Sequence, residues 1–552
     1  MKKYLFAVTG IILLSAMLFL GCARQGKTDK SDPNYPIEIS IYVESGNNTQ
    51  PSPDNPIYKY IKDKFNVTFK WDLLVGDAKQ KQGVMIASGQ YPDILELTGP
   101  EWIDAGALIP LEGLIEQYGS RIKDHYKDVW EKMKSGDGHT YYLMNYGVFQ
   151  GKDYNPFYDQ AAFWLQKAVL KDAGYPKVVT MDQYFDLIAD YYKKNPTIDG
   201  KPAIPFLILT YDWHAFELWS PPNFLAGNPN EGNGTVDPVT YEYKTYFTQD
   251  ISKRWFKKLN EINARGLLDQ TSFTDNYDQY LAKIASGRVL GQSVQGWQFI
   301  WSADVANRDR GENIRTMAPL PVVFDSDITP HYRNQPIPNL LRGIGISVGA
   351  KDPKRIIKFV NDILDENVQR TLQWGIEGKE WQYGSDGVPY RNDEQRANWN
   401  NENYHNQNRG LLLVNLFPKI QGSFSDGYPV DLSHYYKERE PSLLPEDIEL
   451  FKAYNVTNTN DLMDPNPPPN PPWFPTWTLP NPPDGSDAQM AMTRCEQTMR
   501  QRLPQIIMAK PSDFDKLWDA YTAEMKNNGI ALYEQYMQEQ LNKRLIDWGI
   551  RK

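Results

Sequence analysis

The stretch that decides the fold reads IEISIYV at residues 37–43, IYKYIKDKF at 57–65, VTFKWDLL at 67–74 and YPDIL at 91–95. The first and third segments are rich in β-branched and aromatic residues, which favour strands. The second segment has apolar residues at helical spacing, and residues 80–87 read as a further helix. Strands that alternate with helices predict a parallel α/β sheet, with a ligand crevice beyond the carboxyl ends of its strands. We therefore expect this crevice near Glu44, Glu96 and Trp102.

Several later segments are typical of packing helices. Thr180 and Gln183 form a capping box at the start of one helix. A second helix is expected at about 252–265, and a third begins at Asp352 and Pro353, the preferred order of cap and proline. Residues 465–483 hold many prolines with tryptophans between them, which excludes a regular helix or a central strand. They form either an ordered surface excursion or a disordered linker.

The N-terminus has the order of an export signal. Lys2 and Lys3 precede an apolar run at 4–20, and Gly21 and Cys22 follow it. This end resembles the site at which a lipoprotein signal peptidase cuts before a cysteine that then carries lipid. The alternative is an uncleaved anchor helix, because the run approaches the length that spans a bilayer. We expect residues 1–21 to be a signal peptide, Cys22 to be the lipid anchor on the outer face of the cell membrane, and residues 22–35 to be a flexible tether.

Composition indicates a large, acidic, soluble body. The 552 residues exceed one ordinary core and predict two or three units. The formal net charge is −10, and removal of Lys2 and Lys3 with the signal peptide leaves 57 basic against 69 acidic residues, or −12. This charge argues against nucleic acid as a partner. Once Cys22 carries lipid, Cys495 is the only remaining thiol, which excludes a disulfide or a cysteine metal site within one mature chain.

Motifs for catalysis and for cofactors are absent from the sequence. The chain has no nucleophile elbow, zinc-protease motif, phosphate loop or dinucleotide fingerprint, so we expect neither an enzyme nor a cofactor. Residues 325–327 and 228–237 are rich in oxygen ligands and are candidates for a structural calcium ion, but neither has the spacing of a calcium loop, so no metal site is predicted. A surface-displayed glycoside hydrolase or polysaccharide lyase stays as an alternative, because two of the 69 acidic residues could flank a scissile bond.

Several short motifs follow one another along residues 37–383. They are ASGQYPDI at 87–94, GDGHTYY at 136–142, the segment 163–185, GLLD at 266–269, SGR at 286–288 before GW at 296–297, DP at 352–353 and WGIEGK at 374–379. In this order they resemble the extracellular solute-binding lipoproteins of carbohydrate ABC importers, of the family 1 type, and in particular the large oligosaccharide-binding subgroup of Gram-positive bacteria. One departure is LQKA at 165–168, where that family often has an Arg-Lys-Asp-Trp run, so no cleft arginine is carried over there.

The resemblance implies a two-lobe, periplasmic-binding-protein-like α/β fold of type II, with mixed sheets flanked by helices and a ligand cleft between the lobes. Lobe one is expected at 36–145 and 325–385, and lobe two at 146–324 and 386–552, including the excursion at 465–483. The resemblance also implies that the lobes close on an oligosaccharide and then dock on the membrane subunits of an importer. The protein would act as a monomer and without catalysis. A sugar-sensing receptor that feeds a kinase is a further alternative.

Aromatic side chains supply the first set of candidate ligand contacts, because sugar rings present C–H faces that stack on aromatic rings. The chain has 16 Trp and 34 Tyr. The candidates lie in loops or beside glycines, and they are Trp102, Trp213, Trp219, Trp297, Trp301 and Trp374. Trp297 is the leading candidate, since it resembles the position at which sugar-binding members of the family place a stacking aromatic residue.

Polar side chains supply the second set, because sugar hydroxyls need hydrogen-bond acceptors and donors. By their loop or crossover positions these candidates are Glu44, Asn47, Glu96, Glu101, Asn145 and Arg342. Asp93 is left out, because an Asp directly after a proline is expected to fix the local turn. The negative net charge favours neutral over polyanionic sugars, while the identity and length of the sugar stay open.

Overall fold

The computed structural model describes residues 34–45, 49–150, 157–158, 161–334, 337–463 and 468–551. Nine strands form the two main sheets of these residues: β1 Ile37–Val43, β2 Val67–Leu73, β3 Ile94–Leu97, β4 Tyr142–Leu143, β5 Ala161–Gln166, β6 Ile204–Leu207, β7 Val289–Gln295, β8 Met317–Leu320 and β9 Gly343–Ile346.

The predicted signal peptide, Cys22 and nearly all of the tether lie outside the described residues. The last tether residue, Tyr35, is docked on lobe one, where its hydroxyl donates to the Asp352 carboxylate. Across the described ranges, helices that combine bilayer-spanning length with apolar character are absent.

The first sheet has the strand order β2-β1-β3-β9-β4. β1 runs parallel to β2 and to β3, with Ile41 opposite both Trp71 and Ile94. Helix Pro56–Phe65 connects β1 to β2, and helix Ala78–Ser88 connects β2 to β3. The predicted parallel α/β beginning is therefore confirmed. The sheet becomes mixed because β9 runs antiparallel to β3 and β4.

The second sheet has the order β6-β7-β5-β8, in which β6 and β7 are parallel and β5 is antiparallel to both β7 and β8. One of its flanking helices begins at the predicted cap, and another lies close to the expected segment. The Thr180 capping box starts helix Met181–Lys194, and helix Asp250–Ala264 covers the second expected segment. In lobe one, Asp352 caps helix Pro353–Ile363 by accepting from a backbone amide of its first turn. Local sequence therefore predicts these helix starts well.

The helices pack around the sheets in two large cores and one small cluster. Helices of the first core are Pro56–Phe65, Ala78–Ser88, Glu101–Asp104, Glu112–Tyr118, Ser120–Tyr126, Pro353–Ile363, Glu366–Trp374 and Leu411–Leu416. Helices of the second core are Lys167–Asp172, Met181–Lys194, Phe216–Trp219, Pro221–Leu225, Asp250–Ala264, Tyr277–Ala285, Pro445–Tyr454, Asp487–Met508, Phe514–Asn527 and Ile530–Asp547. The small cluster consists of Trp374, Trp381, Ile420, Phe424, Val430 and Leu432.

Two segments pack into a different core from the one expected. The sequence predicts residues 386–552 in lobe two, but helix Leu411–Leu416 belongs to the first core, where the Phe417 ring lies 6.0 Å from that of Phe359. Conversely, Tyr332 falls in the segment expected for lobe one, but it packs into the second core, where its hydroxyl donates to the Val322 carbonyl oxygen at 2.5 Å. Long-range apolar packing decides both placements, and local sequence carries no sign of it.

The chain crosses between the two cores along paired segments. Phe149–Gln150 pairs in parallel with Gln421–Gly422. Phe157–Tyr158 pairs antiparallel with Arg333–Asn334. The outward and returning crossovers are therefore joined by backbone hydrogen bonds, and they form a short hinge between the lobes.

The described part of the proline-rich excursion, 468–483, packs against the second core. Trp473 is buried, and the Glu231 carboxylate accepts from its Nε1 at 3.1 Å and from the Thr476 amide at 2.7 Å. Arg544 donates to the Trp473 carbonyl oxygen at 3.2 Å. Buried side chains thus form hydrogen bonds with backbone groups of this segment. Of the two alternatives, the segment is therefore the ordered excursion and not the disordered linker.

Candidate ligand-binding site

The acidic and basic candidates of lobe one meet at one edge of the first sheet. Because β1 and β3 are parallel, their carboxyl ends lie at the same edge, which brings Glu44 and Glu101 together. β9 runs antiparallel to β3 with Gly343 opposite Leu97, so Arg342 lies at this edge too. Both Glu101 and Arg342 are exposed.

Glu44 is the partly buried centre of this group. Its Oε1 accepts from Thr98 Oγ1 at 2.7 Å. Burial raises the pKa of Glu44 above its ordinary value, and the negative charges of Glu96 and Glu101 add to this effect. The Thr98 hydrogen bond and the positive charge of Arg342 oppose it. The edge therefore offers carboxyl groups and a guanidinium to a hydroxylated ligand.

The leading aromatic candidates meet at one edge of the second sheet. β6 and β7 are parallel, and Trp213 and Trp297 each lie in the short 3-10 turn that comes after one of them. The two rings are 5.9 Å apart between centroids and 9° from parallel. Trp213 is 56% exposed and Trp297 is 43% exposed. We call this stacked, exposed pair the tryptophan platform; Trp301, in the next turn, is 74% exposed.

A second layer of side chains supports the platform. The His214 ring stacks on Trp213 at 3.8 Å and on Tyr277 at 4.3 Å between centroids. Its Nδ1 lies 2.8 Å from Gln298 Oε1, and burial lowers the pKa of His214 below its ordinary value, so that the ring is neutral at neutral pH. Sequence reasoning did not find this layer. Gln298 stands directly beside Trp297, but Tyr277 comes from another helix, for which local sequence offers no signal.

Both candidate edges adjoin the crossovers. β4 runs antiparallel to β9, so it ends at the edge of Glu44 and leads from there into the first crossover. β5 begins with Ala161 opposite Gln295, at the edge of the platform. The two edges are therefore joined by the connections between the lobes, which is where a protein that closes about a hinge has its cleft.

Three of the predicted tryptophans are core residues. Trp102 has no exposed surface, and its Nε1 donates to the Glu96 carbonyl oxygen at 3.0 Å. Trp374 is also fully buried, with Nε1 bonded to the Val430 carbonyl oxygen at 2.8 Å, and Trp219 is only 4% exposed. These rings are not available to a ligand. Their neighbourhood in sequence is typical of loops, and only long-range packing buries them.

Two of the predicted polar contacts serve the fold. Glu96 is buried, and its Oε2 accepts from the amides of Glu44 at 2.7 Å and Ser45 at 2.8 Å, which fixes the loop after β1. This oxygen atom is therefore occupied by the loop. Asn145 is half-buried and donates from Nδ2 to the Asn415 carbonyl oxygen at 2.6 Å, which ties a crossover to lobe one. Asn47 lies outside the described residues.

The calcium candidates make contacts with other protein groups. Asp325 binds Arg254 through both carboxylate oxygens, at 2.5 and 2.7 Å. In the other candidate segment, Glu231 bonds to the excursion and Asp237 accepts from the Val239 amide at 2.9 Å. Across the described ranges there is no group of three or more His, Cys, Asp or Glu side chains placed to hold a metal ion.

Two cavities lie apart from the platform. One of about 660 Å³ lies near the small apolar cluster, and one of about 520 Å³ lies beside the crossovers. Among their lining residues are Arg391, Arg396 and Lys437 in the first, and His125 and Gln150 in the second. Neither is lined by a residue of the platform.

Comparison with known proteins adds two relatives, although no protein-family model matches the chain. It is similar to the fructooligosaccharide ABC transporter substrate-binding protein FusA of Streptococcus pneumoniae, with 23% identity over 588 aligned residues that cover 96% of this chain and 98% of that protein. It is also similar to lipoprotein LipO of Bacillus subtilis, with 22% identity over 68% of this chain and 73% of LipO.

Solved structures share the fold over nearly the whole chain. FusA in complex with kestose has a TM-score of 0.58 at 16% identity, and covers 92% of this chain and 99% of its own. A human-milk-oligosaccharide-binding, ABC-transporter-associated solute-binding protein of Bifidobacterium longum infantis has a TM-score of 0.62 at 15% identity, with the same coverage. These likenesses confirm the predicted fold class. The chain therefore has the two-lobe α/β fold of the solute-binding proteins of ABC transporters.

Proposed function

We propose that this protein is the substrate-binding component of a carbohydrate ABC importer, which captures an oligosaccharide between its lobes and delivers it to the membrane subunits. The observation that carries the proposal is the exposed, nearly parallel pair of Trp213 and Trp297 at the crossover edge of lobe two. Exposed aromatic faces suit the C–H faces of sugar rings. The full-length likeness to FusA, whose name states fructooligosaccharide binding, supports the same class of ligand.

Each lobe contributes a different kind of contact in this proposal. A sugar ring stacks on the tryptophan platform of lobe two. Glu44, Glu101 and Arg342 of lobe one then bind its hydroxyls when the hinge closes. Lobe closure sets both kinds of contact at once, so the closed form is the one that an importer would recognise.

We further propose that Cys22 carries a lipid and holds the monomeric protein on the outer face of the cell membrane. The order of charges, apolar run and Gly21–Cys22 supports this, as does the likeness to LipO, which is named a lipoprotein. Radioactive palmitate should label the full chain expressed in a Gram-positive host, and Cys22→Ala should abolish the label. Equal labelling of both proteins would contradict the anchor.

Catalysis and kinase signalling are not favoured as functions. FusA is named a substrate-binding protein of an ABC transporter and the Bifidobacterium protein a solute-binding protein, which supports binding for transport over catalysis or signalling.

A thermal-shift screen with product analysis tests the function. The mature chain would be heated with kestose, neutral hexose oligosaccharides and alginate fragments, because a ligand held only by the folded state raises the melting temperature. We expect a selective rise with a neutral oligosaccharide that is recovered intact. Cleaved sugar would show an enzyme, and a rise with alginate alone would contradict the expected preference for neutral ligands.

A further inference from the structure

A carboxyl group lies buried beneath the tryptophan platform. Glu217 belongs to the short helix Phe216–Trp219 and is 2% exposed. Glu217 is not one of the proposed ligand contacts, and no motif in the sequence predicts an acidic residue in this part of the core. Burial of a carboxyl group is costly unless the group is neutral or well hydrogen-bonded.

The hydrogen bonds of Glu217 go to two glutamines that support the platform. Its Oε1 accepts from the backbone amide of Gln295 at 3.2 Å and from Gln298 Nε2 at 3.3 Å. The Gln295 side chain in turn accepts from Trp297 Nε1. Through Gln298 the chain of bonds continues to His214 Nδ1, at 2.8 Å, and the His214 ring stacks on Trp213. One buried oxygen atom thus links the supports of both rings.

The charge state of Glu217 follows from its surroundings. The titratable groups that face it are the phenols of Tyr246, Tyr277 and Tyr280. The neutral ring of His214 faces it through Gln298. In the described part of the chain, Glu217 has no lysine or arginine as an ion-pair partner. Burial raises the pKa of Glu217 to about 8, although the hydrogen bonds from Gln295 and Gln298 oppose this rise, so the group is a neutral carboxylic acid at neutral pH.

We propose that Glu217, as a neutral acid, is the positioning residue that holds Trp213 and Trp297 in their parallel pair, and that its ionisation disrupts the platform. The part of this inference that concerns ligand affinity rests on the proposed function; the part that concerns ring geometry does not. An ionised Glu217 would place a negative charge in the core without an ion-pair partner, and the donors Gln295 and Gln298 would have to move closer, or water would have to enter, to stabilise it. Either response moves the rings that these glutamines support.

The geometry can be tested without a ligand. Near-ultraviolet circular dichroism would be recorded from pH 6 to pH 9 for the wild type, Glu217→Gln and Glu231→Gln, and the spectrum of Trp213→Phe would be subtracted to isolate the platform. Glu217→Gln keeps the accepting oxygen but cannot ionise. Glu231→Gln is the matched control, because Glu231 is an equally buried glutamate whose hydrogen bonds go to the excursion instead.

We expect the platform signal of the wild type and of Glu231→Gln to titrate near pH 8, and that of Glu217→Gln to stay constant. A constant wild-type signal, or the same titration in Glu217→Gln, would overturn the proposal. The wild-type titration decides by itself if a variant fails to fold.

Affinity for kestose then connects the geometry to binding. If only the neutral form is competent, the apparent Kd of the wild type at pH 9 should be about 10-fold weaker than at pH 6, because about nine-tenths of the protein is then ionised. Glu217→Gln should change less than about 2-fold over the same range. A platform that titrates in a protein that binds no sugar would support the positioning role and contradict the proposed function. Kestose binding with the same pH profile in both proteins would contradict the positioning role alone.

Discussion

Trp297 is the residue on which the proposed site most depends. It follows a central strand of the second sheet, lies nearly parallel to Trp213, and its Nε1 is satisfied by Gln295, which leaves an exposed apolar face. We expect Trp297→Ala to weaken binding of the cognate sugar at least about 10-fold, or about 1.4 kcal/mol, because the stacking face is lost. Isothermal titration calorimetry at pH 6 measures this change.

Trp477→Ala is the matched control for that measurement. Trp477 is 42% exposed, close to the value for Trp297, but it lies on the proline-rich excursion. Its replacement should leave the affinity unchanged within about 2-fold. An equal loss in both variants would mean that exposed tryptophans act through general stability and not through contact with the sugar.

Asp93 is a second residue whose role the structure defines. It is buried, and its carboxylate accepts from the amide and hydroxyl of Ser40 at 2.9 and 2.6 Å and from the Lys351 amide at 2.8 Å. It therefore joins β1 and the segment after β9, rather than only the turn after Pro92. We expect Asp93→Ala to lower the free energy of unfolding by about 3 kcal/mol, since buried donors lose a charged partner.

Urea denaturation checks the prediction for Asp93. Asp93→Asn, which keeps one acceptor oxygen, should lose about half as much stability as Asp93→Ala. Sugar affinity below the unfolding transition should stay at the wild-type value in both variants. A stability loss below about 0.5 kcal/mol in Asp93→Ala would show that these bonds are not needed.

At the level of single residues, the sequence separates aromatic candidates only in part. Its loop candidates Trp213, Trp297 and Trp301 are exposed. It fails for Trp102 and Trp374, because a tryptophan beside a loop is buried or exposed according to what packs over it, and that neighbour comes from a distant part of the chain. The role of Glu217 is equally invisible, because its aromatic and aliphatic neighbours in sequence do not show that its own carboxyl group is buried.

Secondary-structure elements are predicted better than the sites between them. The first two strands were expected at 37–43 and 67–74 and lie at 37–43 and 67–73. Helix starts marked by Thr180 and by Asp352 are in place, because caps and alternation act over a few residues. The late antiparallel strand β9 was not predicted. Its sequence, GIGI, is too short and too rich in glycine to predict a strand.

The hinge provides a prediction at the level of elements. Gly147 has a φ of 93°, and a Cβ atom there would lie 2.0 Å from the Ile337 carbonyl oxygen of the returning crossover. Gly147→Ala should therefore force the crossovers apart and cost more than about 3 kcal/mol, from strain at positive φ together with the clash. Gly138→Ala is the control, because Gly138 has a similar φ of 86° but open space around it.

Chemical denaturation of the two glycine variants separates strain from clash. Gly138→Ala should cost only about 1–2 kcal/mol, the usual penalty of a left-handed alanine. If both variants lose the same amount, the close approach of the crossovers plays no part in stability.

The anchor of the proline-rich excursion makes its stability depend on pH. Burial raises the pKa of Glu231 to about 7, above the ordinary 4.5, although Arg544 and the hydrogen bonds from Trp473 and Thr476 oppose this rise. Between these values the native protein keeps a proton that the unfolded chain releases. Rising pH therefore lowers the free energy of unfolding, by up to about 1.4 kcal/mol per pH unit for this one proton.

Glu231→Gln removes the group that binds this proton, so the proton no longer affects the free energy of unfolding. We expect the stability of the variant relative to the wild type to rise between about pH 5 and pH 7 and to level off above pH 7. Urea titrations at several pH values measure the difference. A difference that does not change with pH would mean that Glu231 is already ionised in the native protein.

At the scale of the whole molecule, two lobes follow from the sequence but their borders do not. The helix at 411–416 belongs to lobe one, and Tyr332 belongs to lobe two, because apolar side chains far along the chain cover each core. The lobes also touch through the exposed pair Lys79 and Asp484, at 2.8 Å. Exposed ion pairs contribute little free energy, so this contact leaves the hinge free to open.

A crystal structure of the mature protein with the sugar selected by the thermal-shift screen tests the central claim most directly. We expect an intact oligosaccharide between the lobes, with one ring stacked on Trp297 and hydroxyls bonded to Glu44, Glu101 or Arg342. Cleaved sugar, or intact sugar bound away from the tryptophan platform, would contradict the proposed site, and the former would contradict the transport function as well.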